Sequence, residues 1–174
     1  MIALNTGSDS IIAGIAELII SRPPGAIAQI LGSSAYPDIE GTVVFYPENE
    51  GVLVLTALSG LPVPEDVCGG TIHAMHIHEG GSCSGTEEDP FADAGTHYNP
   101  DNCPHPQHAG DLPPVFANQG SAWNAVLLDR FNIDDVIGKT VILHAAYDDF
   151  QTQPSGNSGA KIACGIIVGT GLSE

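Results

Sequence analysis

Six of the seven histidines in this 174-residue chain fall in four short segments, next to Gly, Pro and Asp residues. The segments are AMHIHEG with His76 and His78, AGTHYNP with His97, CPHPQHAGD with His105 and His108, and VILHAAYDD with His144. Because imidazole is the commonest protein ligand for copper and zinc, this ordered clustering predicts a two-metal site. Any fold of this chain must therefore bring the four segments together.

The composition favours an all-β protein. Charged residues make up only 14% of the chain, whereas Gly (21) and Pro (13) are frequent. That mixture is typical of many short strands joined by tight turns. The length predicts a single domain with a substantial core, since a domain near this size buries roughly 68–70% of its unfolded surface.

The chain is strongly acidic, with 21 acidic and 4 basic residues and a formal net charge of −17. We therefore expect neither nucleic acid nor an anionic membrane as a partner. No apolar run approaches the roughly 20 residues that a membrane helix needs. The four basic residues are Arg22, Arg130, Lys139 and Lys161, and any of them beside an active site would stand out.

The first residues differ in pattern from the rest of the chain. In residues 8–21, SDSIIAGIAELIIS, apolar side chains recur at helical spacing behind a Ser/Asp cap candidate and ahead of Pro23 and Pro24. We interpret this segment as a short amphipathic helix; an extra strand, or a segment that packs on a neighbouring subunit, are the alternatives left open. The predicted organisation is an N-terminal extension over residues 1–25 and one domain over residues 26–174.

Strand patterns begin at residue 26. AIAQIL, EGTVVFYP and GVLVLTALSGL alternate with turn residues and predict a β-meander, and TIHAMHIHE, SAWNAVLLD, GKTVILHAAY and KIACGIIVG predict further strands. Residues 80–120 show almost no strand pattern, and a loop of that length is usually functional and needs fastening. A second polar loop precedes the last strand. We expect an eight-stranded Greek-key sandwich or flattened barrel with two long functional loops.

His76 and His78 alternate with Met75 and Ile77 in a strand pattern. Side chains of a strand alternate between its faces, so the two imidazoles share one face and can reach one ion. His73 has the parity of Met75, and we expect a structural, hydrogen-bonded role for it rather than metal binding.

The loop that follows is richer in ligands. Three histidines and Asp111 occur within the fifteen residues from His97 to Asp111, which is the inventory that a tetrahedral N/O site needs. His144 completes the set, and Asp148, four residues on, is a candidate acceptor for the N–H groups of metal-bound histidines.

These motifs carry a resemblance to a known family. They are HIHE, a glycine-rich turn to Cys83, AGxHYNP, HAGDLP, the strand ending in His144 followed by Asp148-Asp149, and GNSGAKIACG. In this order, over residues 26–169, they resemble the copper/zinc superoxide dismutase family. The resemblance implies a Greek-key β-sandwich that converts superoxide to O₂ and H₂O₂, with copper and zinc as cofactors.

The resemblance also implies a role for each site residue. The copper ligands would be His76, His78, His97 and His144, and the zinc ligands would be His97, His105, His108 and Asp111. Asp148 would hydrogen-bond His76 on the copper side and His105 on the zinc side. His97, shared by both metals, would be catalytic as a proton carrier.

One position departs from the family pattern. The family has an arginine two residues before the alanine of the ACG motif, and this chain has Lys161 there. Lysine keeps the positive charge that docks the anion beside copper but lacks the planar guanidinium fork. We therefore predict a catalytic role for Lys161 with lower but real activity; a surface lysine without a role is the alternative.

The four cysteines favour disulfides, since no CxxC zinc spacing occurs. The resemblance pairs Cys83 with Cys164, which ties the loop after His78 to the last strand. Cys68 and Cys103 are extra, and we expect a second bridge between them, with two free buried thiols as the alternative. Disulfides favour an extracytoplasmic or cell-surface location, but no secretory signal pattern is seen, so the compartment stays open.

Two functions of different classes follow. The first is an enzyme, a superoxide dismutase with superoxide as its substrate. The second is a copper/zinc-binding structural module of the same fold with little or no turnover, which Lys161 and the acidic surface favour. The sequence does not decide between a monomer and a homodimer.

Overall fold

The computed structural model describes residues 22–66 and 69–171. Within these residues, eight antiparallel strands form one sheet that curls into a nearly closed barrel. The strands are β1 (Ala26–Gly32), β2 (Glu40–Glu48), β3 (Gly51–Ser59), β4 (Ile72–His78), β5 (Asp111–Phe116), β6 (Ala122–Leu128), β7 (Thr140–His144) and β8 (Lys161–Gly169). The predicted eight-stranded all-β fold is confirmed. The helix predicted over residues 8–21 lies outside the described residues.

The order of strands in the sheet is β5-β4-β7-β8-β1-β2-β3-β6. The consecutive strands β1, β2 and β3 pair as the predicted meander. The consecutive strands β4 and β5, and β7 and β8, also pair. The other three pairings, β3 with β6, β4 with β7 and β8 with β1, join strands that are not consecutive in the chain. The edge strands β5 and β6 approach each other, which nearly closes the barrel.

The strands alternate between a buried and an outward face. In β1, Ala26, Ala28 and Ile30 are buried, whereas Gln29 and Leu31 are exposed. Each large apolar side chain that is buried in this way contributes roughly 1.5–3 kcal/mol. The alternation leaves the interior of the barrel filled with apolar groups.

The same alternation positions the histidines of β4. Met75 and Ile77 belong to the central apolar cluster of the barrel. Their neighbours His76 and His78 therefore point to the opposite face of the strand. That face is covered by the two long loops, so both imidazoles are nevertheless almost fully buried.

Residues 80–120, interpreted from the sequence as a long loop, contain one strand, β5. Its sequence, DLPPVF, includes Pro113 and Pro114, which remove two ladder donors and hide the strand pattern. The strand forms because β5 lies at the edge of the sheet and pairs only with β4. An edge strand needs its N–H groups on one side only, so proline is tolerated there.

Helical structure is sparse among the described residues: a 3₁₀ turn at Ala92–Ala94 and one short helix, α1 (Ile133–Val136). The backbone N–H of Asn132 donates to the Asp135 carboxylate at the start of α1. No helix in the described part of the chain has the length and apolar character to cross a membrane.

A disulfide joins Cys83 to Cys164, 81 residues apart in the chain, as predicted. It fastens the loop after β4 to the last strand. Phe91 of this loop packs against Cys164 in a small apolar cluster. Cys103 has no disulfide partner among the described residues, and Cys68 lies outside them, so the second bridge stays a prediction.

Candidate metal centre

Two groups of buried side chains lie next to each other outside the barrel wall. Within each group, one potential ligand atom per residue lies within 4.8 Å of all the others. The first group is His76, His78, His97 and His144, and the second is His97, His105, His108 and Asp111. The structure therefore brings together every residue that the sequence assigned to copper or zinc, with His97 in both groups.

Strand pairing positions the first group. β4 supplies His76 and His78, and the neighbouring strand β7 ends at His144. His97 lies in the long loop and forms an isolated β-bridge with His78. The His76 ring centroid is 3.9 Å from that of His97 and 4.9 Å from that of His144.

Each histidine of the first group turns one ring nitrogen to a protein partner. His76 Nε2 donates to Asp148 Oδ2 at 2.9 Å, His78 Nδ1 donates to the Gly95 carbonyl at 2.8 Å, and His144 Nδ1 donates to the Gly159 carbonyl at 3.2 Å. His97 Nδ1 turns to Asp111, 2.8 Å away.

The opposite ring nitrogens have no hydrogen-bond partner among the described residues. They are His76 Nδ1, His78 Nε2, His97 Nε2 and His144 Nε2. A buried polar atom without a partner costs about 1–3 kcal/mol, so four of them converging on one point would be unfavourable in a metal-free protein. Four imidazole nitrogens suit copper, and an ion at this point would satisfy all of them.

The second group is arranged around the carboxylate of Asp111. Oδ1 lies 2.8 Å from His97 Nδ1 and 3.4 Å from His108 Nδ1, and Oδ2 lies 3.1 Å from His105 Nδ1. Three imidazole nitrogens and one carboxylate form the donor set of a tetrahedral zinc site. The second group therefore fits zinc, and the first group fits copper.

Asp148 links the two groups by hydrogen bonds on the side of the rings away from the candidate metal positions. Its Oδ1 accepts from His105 Nε2 at 2.9 Å and from the Phe150 backbone N–H at 2.8 Å, while its Oδ2 accepts from His76. Burial raises the pKa of Asp148, but these hydrogen bonds outweigh burial and hold the pKa below its usual range. Gly156 (φ +68°) leaves room for the carboxylate, since a Cβ there would collide with it.

Burial also sets the protonation of the imidazoles. Desolvation, together with the repulsion of neighbouring histidines, lowers the pKa of His78 to about 2 and that of His144 to about 3. Both side chains are therefore neutral at physiological pH. Neutral imidazole is the form that binds a metal ion.

A cavity of about 550 Å³ opens beside the first group and is lined by His78, His97, His144 and Lys161, among others. Lys161 Nζ donates to Asp89 Oδ2 at 2.8 Å and to the Phe91 carbonyl at 3.0 Å. The lysine is thus beside the candidate copper site, where the sequence predicted a cation, but it is paired with an acid that the sequence did not single out.

The copper/zinc superoxide dismutase (SODC) family model matches residues 39–167. The chain belongs to this family. It is 34% identical over 110 residues to the Cu-Zn superoxide dismutase of Photobacterium leiognathi, a match that covers 55% of this chain and 64% of that protein. It is 31% identical over 147 residues to that of Deinococcus radiodurans, covering 74% of this chain and 77% of that protein.

A solved structure leads to the same family. The crystal structure of a SOD-like protein from Bacillus subtilis superposes with a TM-score of 0.68 at 30% identity, covering 83% of this chain and 99% of that chain. Copper and zinc are the family's metals, and the two residue groups of this dismutase-family chain fit them.

Two residues that support the zinc group were not identified from the sequence. Gln153 accepts from the His105 backbone N–H at 2.9 Å and donates to the His105 carbonyl at 2.7 Å. Arg130 Nη1 donates to the carbonyls of Pro106 at 3.1 Å and His108 at 3.3 Å. In the sequence, Arg130 stands out only as one of four basic residues, and nothing marks Gln153.

His73 belongs to neither group. It is buried, and its Nδ1 donates to the His144 carbonyl at 3.0 Å. It therefore has the hydrogen-bonded position expected of a structural residue and supports the strand end that carries a copper-group histidine.

Proposed function

We propose that this chain is a superoxide dismutase that converts superoxide to O₂ and H₂O₂. The observation that carries the proposal is His97, whose Nε2 belongs to the copper group and whose Nδ1 belongs to the zinc group. Bound copper would supply one-electron redox chemistry between Cu(II) and Cu(I), and bound zinc would supply a fixed positive charge. The protein's own residues would bind the anion and deliver the proton.

His97 would hold and deliver a proton. Its ring is fixed on one side by Asp111, and His97 is one of the residues that line the cavity beside the copper group. A positioned imidazole of this kind is a suitable general acid, an effect that typically contributes 10²–10⁴-fold in rate. The protonated peroxide product needs such a donor, so we assign His97 the role of acid.

Lys161 would attract and orient the superoxide anion. It is a cation on the cavity wall of a chain with a net charge of −17. A single ammonium gives a point charge without the two parallel donors of a guanidinium. We therefore expect turnover that is real but less efficient than with arginine at this position.

The alternative is a copper/zinc-binding structural module with little or no turnover. The ion pair between Lys161 and Asp89 favours it, because a nearby carboxylate cancels part of the charge that would attract superoxide. Both functions require bound metal, so metal content does not separate them.

Superoxide decay measured after copper and zinc loading separates the two functions. Wild-type protein and His97→Gln should be compared at equal copper content, determined by elemental analysis. The enzyme predicts a loss of about 10²-fold or more in the variant, in line with the removal of a general acid. Equal rates in the two proteins, at the level of copper bound to an unrelated acidic protein, would favour the structural module.

A further inference from the structure

Lys161 is the only one of the chain's four Lys and Arg residues that lines the copper-side cavity. Arg22 pairs with Glu48, Arg130 donates to carbonyls of the zinc loop, and Lys139 lies 4.4 Å from the ring centroid of Tyr98. The positive potential that a small anion meets in this cavity therefore depends on how far the charge of Lys161 is neutralised.

Asp89 is placed to control that charge. Its Oδ2 lies 2.8 Å from Lys161 Nζ, and its side chain is 47% exposed whereas that of Lys161 is 16% exposed. An ammonium has three N–H donors, and two of them are taken by Asp89 and the Phe91 carbonyl. One donor is left for an anion, on a group whose charge is largely paired.

We infer that Asp89 is a positioning residue that sets the anion affinity of the copper-side cavity by acting as the counter-ion of Lys161. The inference rests on the proposed function in that it gives Lys161 the role of anion-binding residue. It adds a second residue, which lies on the loop held by the disulfide and which touches Lys161 rather than the substrate.

Most hydrogen bonds of the loop around Asp89 are made by its backbone and do not involve the Asp89 carboxylate. The backbone of Asp89 accepts from the N–H groups of Thr86 and Ala92 and donates to Thr86 Oγ1. The Phe91 carbonyl also accepts from Lys161 Nζ, in a bond separate from the one to the carboxylate. The carboxylate makes one bond to the loop backbone, in which Oδ1 accepts from the Phe91 N–H at 3.4 Å. Asp89→Asn removes one negative charge while keeping the shape and one oxygen acceptor, which is enough to retain this bond.

The test is a titration of copper- and zinc-loaded protein with azide, a small anion, followed by the visible absorption of the copper. Asp89→Asn should bind azide about two- to fivefold more tightly than wild type, as expected for a charge pair worth a few tenths to one kcal/mol. Glu88→Gln is the matched control, because Glu88 is an exposed acid on the same loop and makes no contact with Lys161 among the described residues. Its azide affinity should stay closer to wild type than that of Asp89→Asn.

Repeating both changes in a Lys161→Met background tests whether Asp89 acts through Lys161. There the azide affinities of Asp89→Asn and Glu88→Gln should become equal. The inference is overturned if Asp89→Asn is no different from Glu88→Gln, if it weakens azide binding, or if its effect persists without the lysine.

Superoxide decay measured on the same samples separates this inference from the proposed function. Azide affinity that responds to Asp89 in a protein without turnover contradicts the dismutase proposal and leaves the inference intact. Superoxide turnover in a protein whose azide affinity is unaffected by Asp89→Asn contradicts the inference and leaves the dismutase proposal intact.

Discussion

At the scale of single residues, one carboxylate is hydrogen-bonded to a histidine of each metal group. Asp148 receives N–H groups from His76 and His105, which fixes the orientation of both rings and turns their other nitrogens toward the metal positions. Partners of this kind typically account for 10- to 100-fold in metal affinity. The side chain is buried, so bulk water does not compete with it for these N–H groups.

We predict that Asp148→Asn lowers the zinc affinity about 10- to 100-fold, because the amide offers one acceptor where two are needed. Zinc affinity is measured by competition with a chromophoric chelator. Asp149→Asn is the matched control, since Asp149 is the adjacent acid and its carboxylate bonds only to Gln151 and Thr152 among the described residues. Equal zinc affinities in the two variants would remove Asp148 from the support of the site.

The buried histidines predict how the metal-free protein responds to acid. The unfolded chain takes up protons near pH 6.5, whereas the folded chain resists them because burial lowers the pKa of His144 to about 3 and that of His78 to about 2. The free energy of unfolding should therefore fall as the pH drops from about 6.5 toward 3.

Urea unfolding at several pH values measures this slope. In His78→Gln, the slope between pH 6 and pH 4.5 should decrease by up to one proton, equivalent to about 1.4 kcal/mol per pH unit. A variant with the wild-type slope would show that His78 is protonated in the folded state.

At the scale of elements, the site depends on two loops that hold each other. Gln153, in the loop before β8, makes two hydrogen bonds to the backbone of His105, in the loop before β5. The two residues are 48 positions apart, and the bonds keep the zinc-side histidine beside its partners. The copper-group histidines of β4 and β7 do not share this support.

We predict that Gln153→Ala lowers the zinc affinity about 5- to 20-fold, as expected from two lost hydrogen bonds worth roughly 0.5–1.5 kcal/mol each, partly replaced by water. The copper affinity should stay within about twofold of wild type, because both lost hydrogen bonds support a zinc-group residue. Isothermal titration with each metal provides both values. Gln151→Ala is the control, because the Gln151 side chain is exposed and makes no hydrogen bond among the described residues. A zinc affinity equal to that of this control would contradict the prediction.

The local pattern along the chain could predict the strands and the metal-binding residues, because alternation and short motifs are properties of neighbouring residues. The strand KIACGIIVG, for example, is β8 without an error at either end. β5 was missed because two prolines erase the pattern, and only its position at the sheet edge explains why it forms. Gln153 and Asp89 could not be predicted, because their roles arise from contacts between segments that the fold brings together.

At the scale of the whole molecule, the charge opposes the proposed substrate. The chain has a net charge of −17, and the single cation on the cavity wall is paired with Asp89. Distant charges are screened over a Debye length of about 8–10 Å at physiological salt. Repulsion of superoxide by the remote acidic surface should therefore weaken as salt is added.

We predict that the second-order rate constant for superoxide rises as the ionic strength increases from about 10 to 150 mM, the range over which the Debye length falls from about 30 to 8 Å. The rate constant is measured by pulse radiolysis in a non-coordinating salt. A rate that falls with salt would indicate net attraction and would mean that local charges at the cavity outweigh the total charge.

The central claim is that the two joined metal groups turn over superoxide with Lys161 as the residue that limits the rate. The most direct test is the superoxide decay catalysed by copper- and zinc-loaded wild-type protein, Lys161→Arg and Lys161→Met at matched metal content. We expect decay in wild type, a faster rate with arginine, whose planar fork orients the anion, and a slower rate with methionine. No decay above that of the metal-free protein would contradict the dismutase function, and equal rates in all three proteins would contradict the role of Lys161.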